Sequence, residues 1–220
     1  LSAPLFQEKG GFNLSGNYSQ TKTMFQLNGQ SRQFTEPPES YDLNCSFLFS
    51  PDKNSLIKLF LFQEEDQVGV RMNHPQYKSP YYGKTKNQLT HLYYQKNTSS
   101  SLIKSGYCYS YGKINNQMGV LDLSTIQKEH QLYFEWDYHL NKQNSILSGI
   151  KHFSGKTSFR GTVPYEDDDL NPLGETFFLE TGFPLERKVF FTEWNSHFFQ
   201  PFLIVTGWRM EYSDTYSLSF

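Results

Sequence analysis

From Leu132 to Leu140 the chain alternates without a fault. Leu132, Phe134, Trp136, Tyr138 and Leu140 share one parity, and Tyr133, Glu135, Asp137 and His139 share the other. Successive side chains of a strand point to opposite faces, whereas a helix would scatter these positions around its axis. The segment therefore predicts a β-strand whose aromatic side packs on a core and whose polar side is outside. Tyr107, Tyr109 and Tyr111 alternate with Cys108 and Ser110 in the same way. Phe202, Ile204, Thr206, Trp208, Met210 and Tyr212 oppose Leu203, Val205, Arg209 and Glu211. Leu56–Phe62 is apolar on both sides apart from Lys58, which predicts a strand covered on both faces.

Turn-rich punctuation recurs between such runs. It falls at Leu27-Asn28-Gly29, 50–54, Glu64–Gln67, Lys96–Ser101, Gly112–Asn116, Asn141–Asn144, Ser154–Lys156 and Asn195–His197. That rhythm predicts antiparallel hairpins in a barrel or sandwich. Single helical turns are expected near Leu123–His130 and the N-terminus. Met72–Lys86 and Pro164–Gly174 read as long loops, because His74-Pro75, Ser79-Pro80 and Asn171-Pro172 suit no central strand. No linker interrupts the chain, so residues 1–220 are expected to form a single all-β domain.

A polar chain can still fold on rings. Aromatic residues make up 17% of the sequence, and each buries about 150–250 Å². A formal net charge of −2 with no basic stripe argues against nucleic acid. No run of about 18 apolar residues exists to form a transmembrane helix, so a soluble protein without a transmembrane segment is expected. The chain starts at Leu1, which suggests a processed N-terminus and a secreted or organellar location, against the alternatives of a trimmed chain and of the cytoplasm. Cys45 and Cys108 are candidates for a disulfide, against the alternative of two small apolar thiols. Of four N-x-S/T sequons, at Asn13, Asn17, Asn44 and Asn97, the last is the candidate glycosylation site because it sits in a turn.

The row Glu135, Asp137 and His139, with His152 from a neighbouring strand, is a candidate metal site; its ordinary reading is a solvated outer face. Glu135 and Glu193 are a candidate carboxylate pair for glycoside cleavage. At period two, however, Trp136 and Trp194 point away from their neighbouring glutamates and cannot line the same sugar groove. Asp167, Asp169 and Asn171 imitate the start of a calcium loop, but Pro172 and Phe178 occupy its turn and twelfth positions. No catalytic residue is assigned.

Gly174-Glu175-Thr176-Phe177-Phe178-Leu179-Glu180, Leu185-Glu186-Arg187-Lys188-Val189 and Thr206-Gly207-Trp208-Arg209-Met210-Glu211 resemble the closing strands of lipocalin-like (calycin) barrels, nearest the bilin-lyase group. Phe12–Tyr18 is similar to their first strand, with Tyr18 where tryptophan is usual. The resemblance implies a lipocalin-like antiparallel barrel, with a two-sheet jelly roll as the alternative. It implies a cavity for a tetrapyrrole or another small hydrophobic molecule, and Arg209 packed near Tyr18 as a structural contact. The function expected is thus non-catalytic binding of a small hydrophobic or pigment-like ligand. The alternatives are a carbohydrate-binding or carbohydrate-cleaving sandwich, and an accessory subunit held by a partner protein.

Overall fold

The computed structural model describes residues 2–5, 9–29, 33–72, 79–166, 174–199 and 202–215. The chain is all-β apart from one short helix. Ten antiparallel strands form one sheet in sequence order: β1 (Ser2–Leu5), β2 (Gly10–Gln20), β3 (Phe34–Phe49), β4 (Ser55–Val70), β5 (Tyr81–Asn97), β6 (Ser101–Met118), β7 (Leu121–His139), β8 (Asn144–Pro164), β9 (Thr176–Phe199) and β10 (Phe202–Thr215). Helix α1 (Lys22–Leu27) follows β2. Among the described residues β1 and β10 do not pair, so the sheet is not closed.

The strands are far longer than the turn signals imply. Glu64–Gln67 lies inside β4, Gly112–Asn116 inside β6, Ser154–Lys156 inside β8 and Asn195–His197 inside β9; Leu123–His130 is strand, not helix. Tyr81-Tyr82-Gly83 opens β5 rather than closing a loop. Polar residues sit comfortably in these strands because they pair across them: Asn87 donates to Glu64 at 3.1 Å, and Tyr81 to Asn116 at 2.8 Å. Pro37 and Pro38, which cannot donate to a ladder, coincide with the register shift of β3 on β4.

At one end of the sheet the turns are tight and closed by side-chain acceptors. Asp52 takes the Asn54 amide at 2.7 Å, Thr98 the Ser101 amide at 2.9 Å, and Asn141 the amides of Gln143 and Asn144, both at 2.9 Å. At the other end the connections include the longer 71–80 and 165–175.

Directly opposed residues share a face, so the register sorts every strand. One face carries Phe47, Leu59, Leu92, Tyr107, Leu132, Phe134, Trp136, Ile150, Phe190, Trp194, Trp208 and Met210. The other carries Lys58, His91, Cys108, Glu135, Lys151, Arg187, Glu193, Arg209 and Glu211.

Among the described residues, the core expected behind Trp136 is absent. Leu132 is 52% exposed, Phe134 43%, Trp136 44% and Trp208 57%, while Val189 is the one buried hydrophobic side chain among the described residues. The alternation has the period of a strand, but its apolar side packs on no core among the described residues. The apolar residues form a band that nothing among the described residues covers.

That band runs obliquely. On β3 it spans Phe49, Phe47, Cys45, Leu43 and Tyr41; on β10 it spans Ile204 to Tyr212. The row of opposed residues through Cys45 passes Leu61, Thr90, Tyr109, His130, Ser154 and Glu186 and reaches β10 at Asp214, six residues from the band centre at Trp208. Six residues rise ~20 Å, and seven strand spacings cover ~33 Å. The strands are therefore inclined to the band by roughly 30° from the perpendicular, close to the tilt of barrel strands.

Candidate functional site: a polar concave face

The Glu135 face is the concave one. One recess of about 380 Å³ is lined by Cys108 and Ser110 of β6, Glu129 and Gln131 of β7, Phe153 of β8, Arg187 of β9 and Glu211 of β10. A second, of about 370 Å³, takes Ser19 of β2, Ser40 of β3, Asp66 of β4, Thr85 of β5 and Asn116 of β6. Five successive strands converge on one recess only if the sheet curls toward that face. The fold is β-barrel-like, with the apolar band on its convex side.

The first recess is charged and paired. The Arg187 guanidinium lies 4.1 Å from the Phe153 ring centroid, and its Nη1 is 3.7 Å from Glu211 Oε1. Arg209 Nη2 donates to Glu211 Oε2 at 2.9 Å. Gly155 opposes Glu129, whose Cγ lies 3.2 Å from where a Cβ on Gly155 would stand, so the Glu129 side chain lies over bare backbone at the recess. Toward the tight turns, Lys151 Nζ lies 2.9 Å from Glu135 Oε1 and 5.4 Å from the Phe191 centroid. His91 Nε2 meets the Tyr133 hydroxyl at 3.3 Å. Cations over rings and carboxylates within reach make a surface suited to polar, charged solutes.

Glu135, Asp137 and His139 stay on this face, but His152 opposes Leu132 and Lys188 on the other, so the four do not meet. His139 Nδ1 is 3.8 Å from Asp137, Glu135 is engaged by Lys151, and no cluster of three metal-ligating side chains occurs among the described residues. Glu135 and Glu193 share the concave face, with backbones roughly 12 Å apart across two strands. Trp136 and Trp194 lie on the opposite face.

Cys45 and Cys108 are both free, so the candidate bridge gives way to its alternative of two thiols. They stand on opposite faces, three strands and roughly 14 Å apart, beyond the Cα separation a disulfide accepts. Tyr18 donates to Glu39 on the convex face of β2, while Arg209 bonds Glu211 on the concave face of β10; they do not pack together. Asn97 is exposed at the end of β5, beside the tight turn into β6. Asp167, Asp169 and Asn171, which imitate the start of a calcium loop, lie outside the described residues. The stretches Thr176–Glu180 and Leu185–Val189, expected on two strands, belong to β9 alone.

Sequence reasoning did not single out Glu129, Phe153 or Arg187 as one site. Its signal was the recurrence of charge at one parity, Arg187 and Arg209 with Glu211, opposite Trp208.

No protein-family model matches the chain, and no curated protein does. Solved structures do match; one is described as "Copper transporter OprC", with a TM-score of 0.62 at 10% identity over 92% of this chain. The likeness is one of fold, and this chain spans about a third (33%) of that structure's length.

Proposed function

We propose that this chain is a wall of a transmembrane β-barrel, its Trp136 face against lipid and its Glu135 face lining a lumen that admits polar solutes. The observation that carries the reading is the uncovered apolar band. Monomeric soluble proteins rarely leave large contiguous apolar patches to water. From Leu132 to Leu140 the band rises ~27 Å along the strand and, with ~30° of tilt, ~23 Å along the normal, near the height of the apolar belt of membrane barrels. Tyr41, Tyr107, Tyr109 and Tyr212 toward one edge and Phe49, Tyr138 and Trp194 toward the other supply the aromatic girdles such belts carry. Among the described residues no helix is long and apolar enough to cross a membrane, which leaves strands untouched as a means of crossing. Period-two strands never produce the long apolar run that marks a helix.

This reading turns the expected ligand around. A pigment cavity needs apolar residues inside, and here the concave face offers Arg187, Glu211, Glu129 and Lys151. A polar or charged solute is the chemistry they favour. Copper is not carried over from the structural neighbour, because the described residues gather no metal-ligating cluster.

The test is reconstitution with zwitterionic vesicles. The protein should float with them and resist alkaline carbonate extraction. Protein that is stripped by carbonate, or stays in the dense fraction fully folded, contradicts the membrane reading.

A further inference from the structure

On the convex face, just beyond the tyrosines that edge the apolar band, lysines stand opposite lysines. Lys86 of β5 opposes Lys113 of β6, and Lys128 of β7 opposes Lys156 of β8. Like charges directly opposite destabilise a sheet, yet here two such pairs sit side by side. Lys113 opposes Ile126, two residues from Lys128, so the two pairs join diagonally into one group.

The group is poorly neutralised from within. Glu65 opposes Lys86 but is engaged by Lys84 and by the Tyr41 hydroxyl, the latter at 2.7 Å. Glu129, next to Lys128, faces the concave side. Glu186 is taken by Lys188 at 2.8 Å, and Pro184 opposes Lys156. Among the described residues no ion pair within 4.0 Å involves Lys113, Lys128 or Lys156, and the Lys156 stem lies over Gly182, its Cε 3.0 Å from where a Cβ would stand.

Their placement follows the band. Lys86 and Lys113 share a row; Lys128 and Lys156 occupy the next row toward the tight turns. The line of lysines thus descends from β5 to β8 in the same sense as the band. Tyr111 lies directly opposite Lys128, and Tyr107 and Tyr109 lie below it. A lysine stem one or two steps beyond an aromatic girdle carries its ammonium to the depth of lipid headgroups.

From this we infer that Lys86, Lys113, Lys128 and Lys156 form a docking strip for the phosphates of anionic lipids in the leaflet away from the tight turns. The inference rests on the membrane reading above. One phosphate bridging each opposed pair converts a like-charge repulsion into two charge-assisted hydrogen bonds. The strip lies outside the lumen and is independent of the solute recesses.

Lipid binding to the intact protein in zwitterionic detergent, counted by native mass spectrometry, tests the strip with phosphatidylglycerol and phosphatidylcholine as probes. Each lysine near an anionic surface contributes roughly a five-fold change in affinity. Wild type should prefer phosphatidylglycerol about ten-fold or more, a preference weakened by salt and unaffected by millimolar inorganic phosphate. The triple variant Lys113→Gln, Lys128→Gln, Lys156→Gln should lose it, and the matching triple Lys→Arg variant should keep it. An undiminished preference in the Gln variant, no preference in wild type, or displacement of the lipid by free phosphate overturns the strip. Protein that floats with phosphatidylcholine vesicles but shows no preference removes the strip alone; protein that does not insert removes both readings.

Discussion

Lys151 and Glu135 face each other across β7 and β8 on the concave side, Nζ to Oε1 2.9 Å, while the residues next to them in sequence, Ile150 and Trp136, lie in the apolar band of the convex side. On the membrane reading, two neighbouring residues of one strand thus meet different solvents. Both members of the pair are partly exposed, so their attraction is screened. A double-mutant cycle with Lys151→Met and Glu135→Gln should give a coupling of about 0.5–1 kcal/mol by urea unfolding in vesicles. It should shrink by about half or more at molar salt, where the screening length is ~3 Å. A coupling indifferent to salt would mean that water does not reach this face.

The convex side predicts the opposite sensitivity. Phe134 sits mid-band, opposite Ile150 and next to Trp136. Phe134→Arg should cost about 2–4 kcal/mol in a bilayer, the penalty for a cation at mid-depth on a lipid-facing strand. A water-facing position would tolerate the change within about 0.5 kcal/mol. Unfolding of the two proteins side by side in vesicles reads the difference.

Period-two alternation was legible at Leu132–Leu140 and again at Phe202–Tyr212, and the class and the parity of each residue follow from it. The lengths of the strands were not legible. Glu64–Gln67 and Asn195–His197 look like turns because turns and water-facing strand positions draw on the same polar residues. What lies beyond each face was not legible either. Alternation says that Trp136 and Glu135 face different surroundings; it does not say whether the apolar surroundings are core or lipid. The recess was hidden for a third reason: Glu129, Phe153, Arg187 and Glu211 come from four strands, and only the register brings them together.

Gly149 lets Phe191 lie flat across β8 under Lys151. A Cβ there would come 2.5 Å from Phe191 Cζ and 2.9 Å from the Phe134 carbonyl oxygen. Gly149→Ala should therefore destabilise by about 1–3 kcal/mol, the usual penalty of overpacking. The companion substitution Phe191→Leu should recover part of the loss, since the ring is one of the two obstructions. Urea midpoints of the single and double variants check this.

Asp52 holds the tight turn before β4. Its carboxylate is kept below the usual carboxylate range first by the Asn54 backbone N–H and next by the Ser55 hydroxyl. A lowered folded-state value means stabilisation that is complete above the unfolded value near 3.8 and fades as pH falls through the folded one. Exchange of the Asn54 amide, corrected for its intrinsic pH dependence, should stay protected through neutral pH and lose protection only in that acid window. Asp52→Ala should lose it at every pH.

The central claim is that the Trp136 face meets lipid. All three tryptophans of the sequence, Trp136, Trp194 and Trp208, lie on that face. Their fluorescence therefore reports on it directly. With the protein reconstituted in vesicles of brominated phosphatidylcholine, tryptophan emission should be quenched strongly, while acrylamide in the water should quench it weakly. Efficient quenching by acrylamide together with none by brominated lipid would contradict the account.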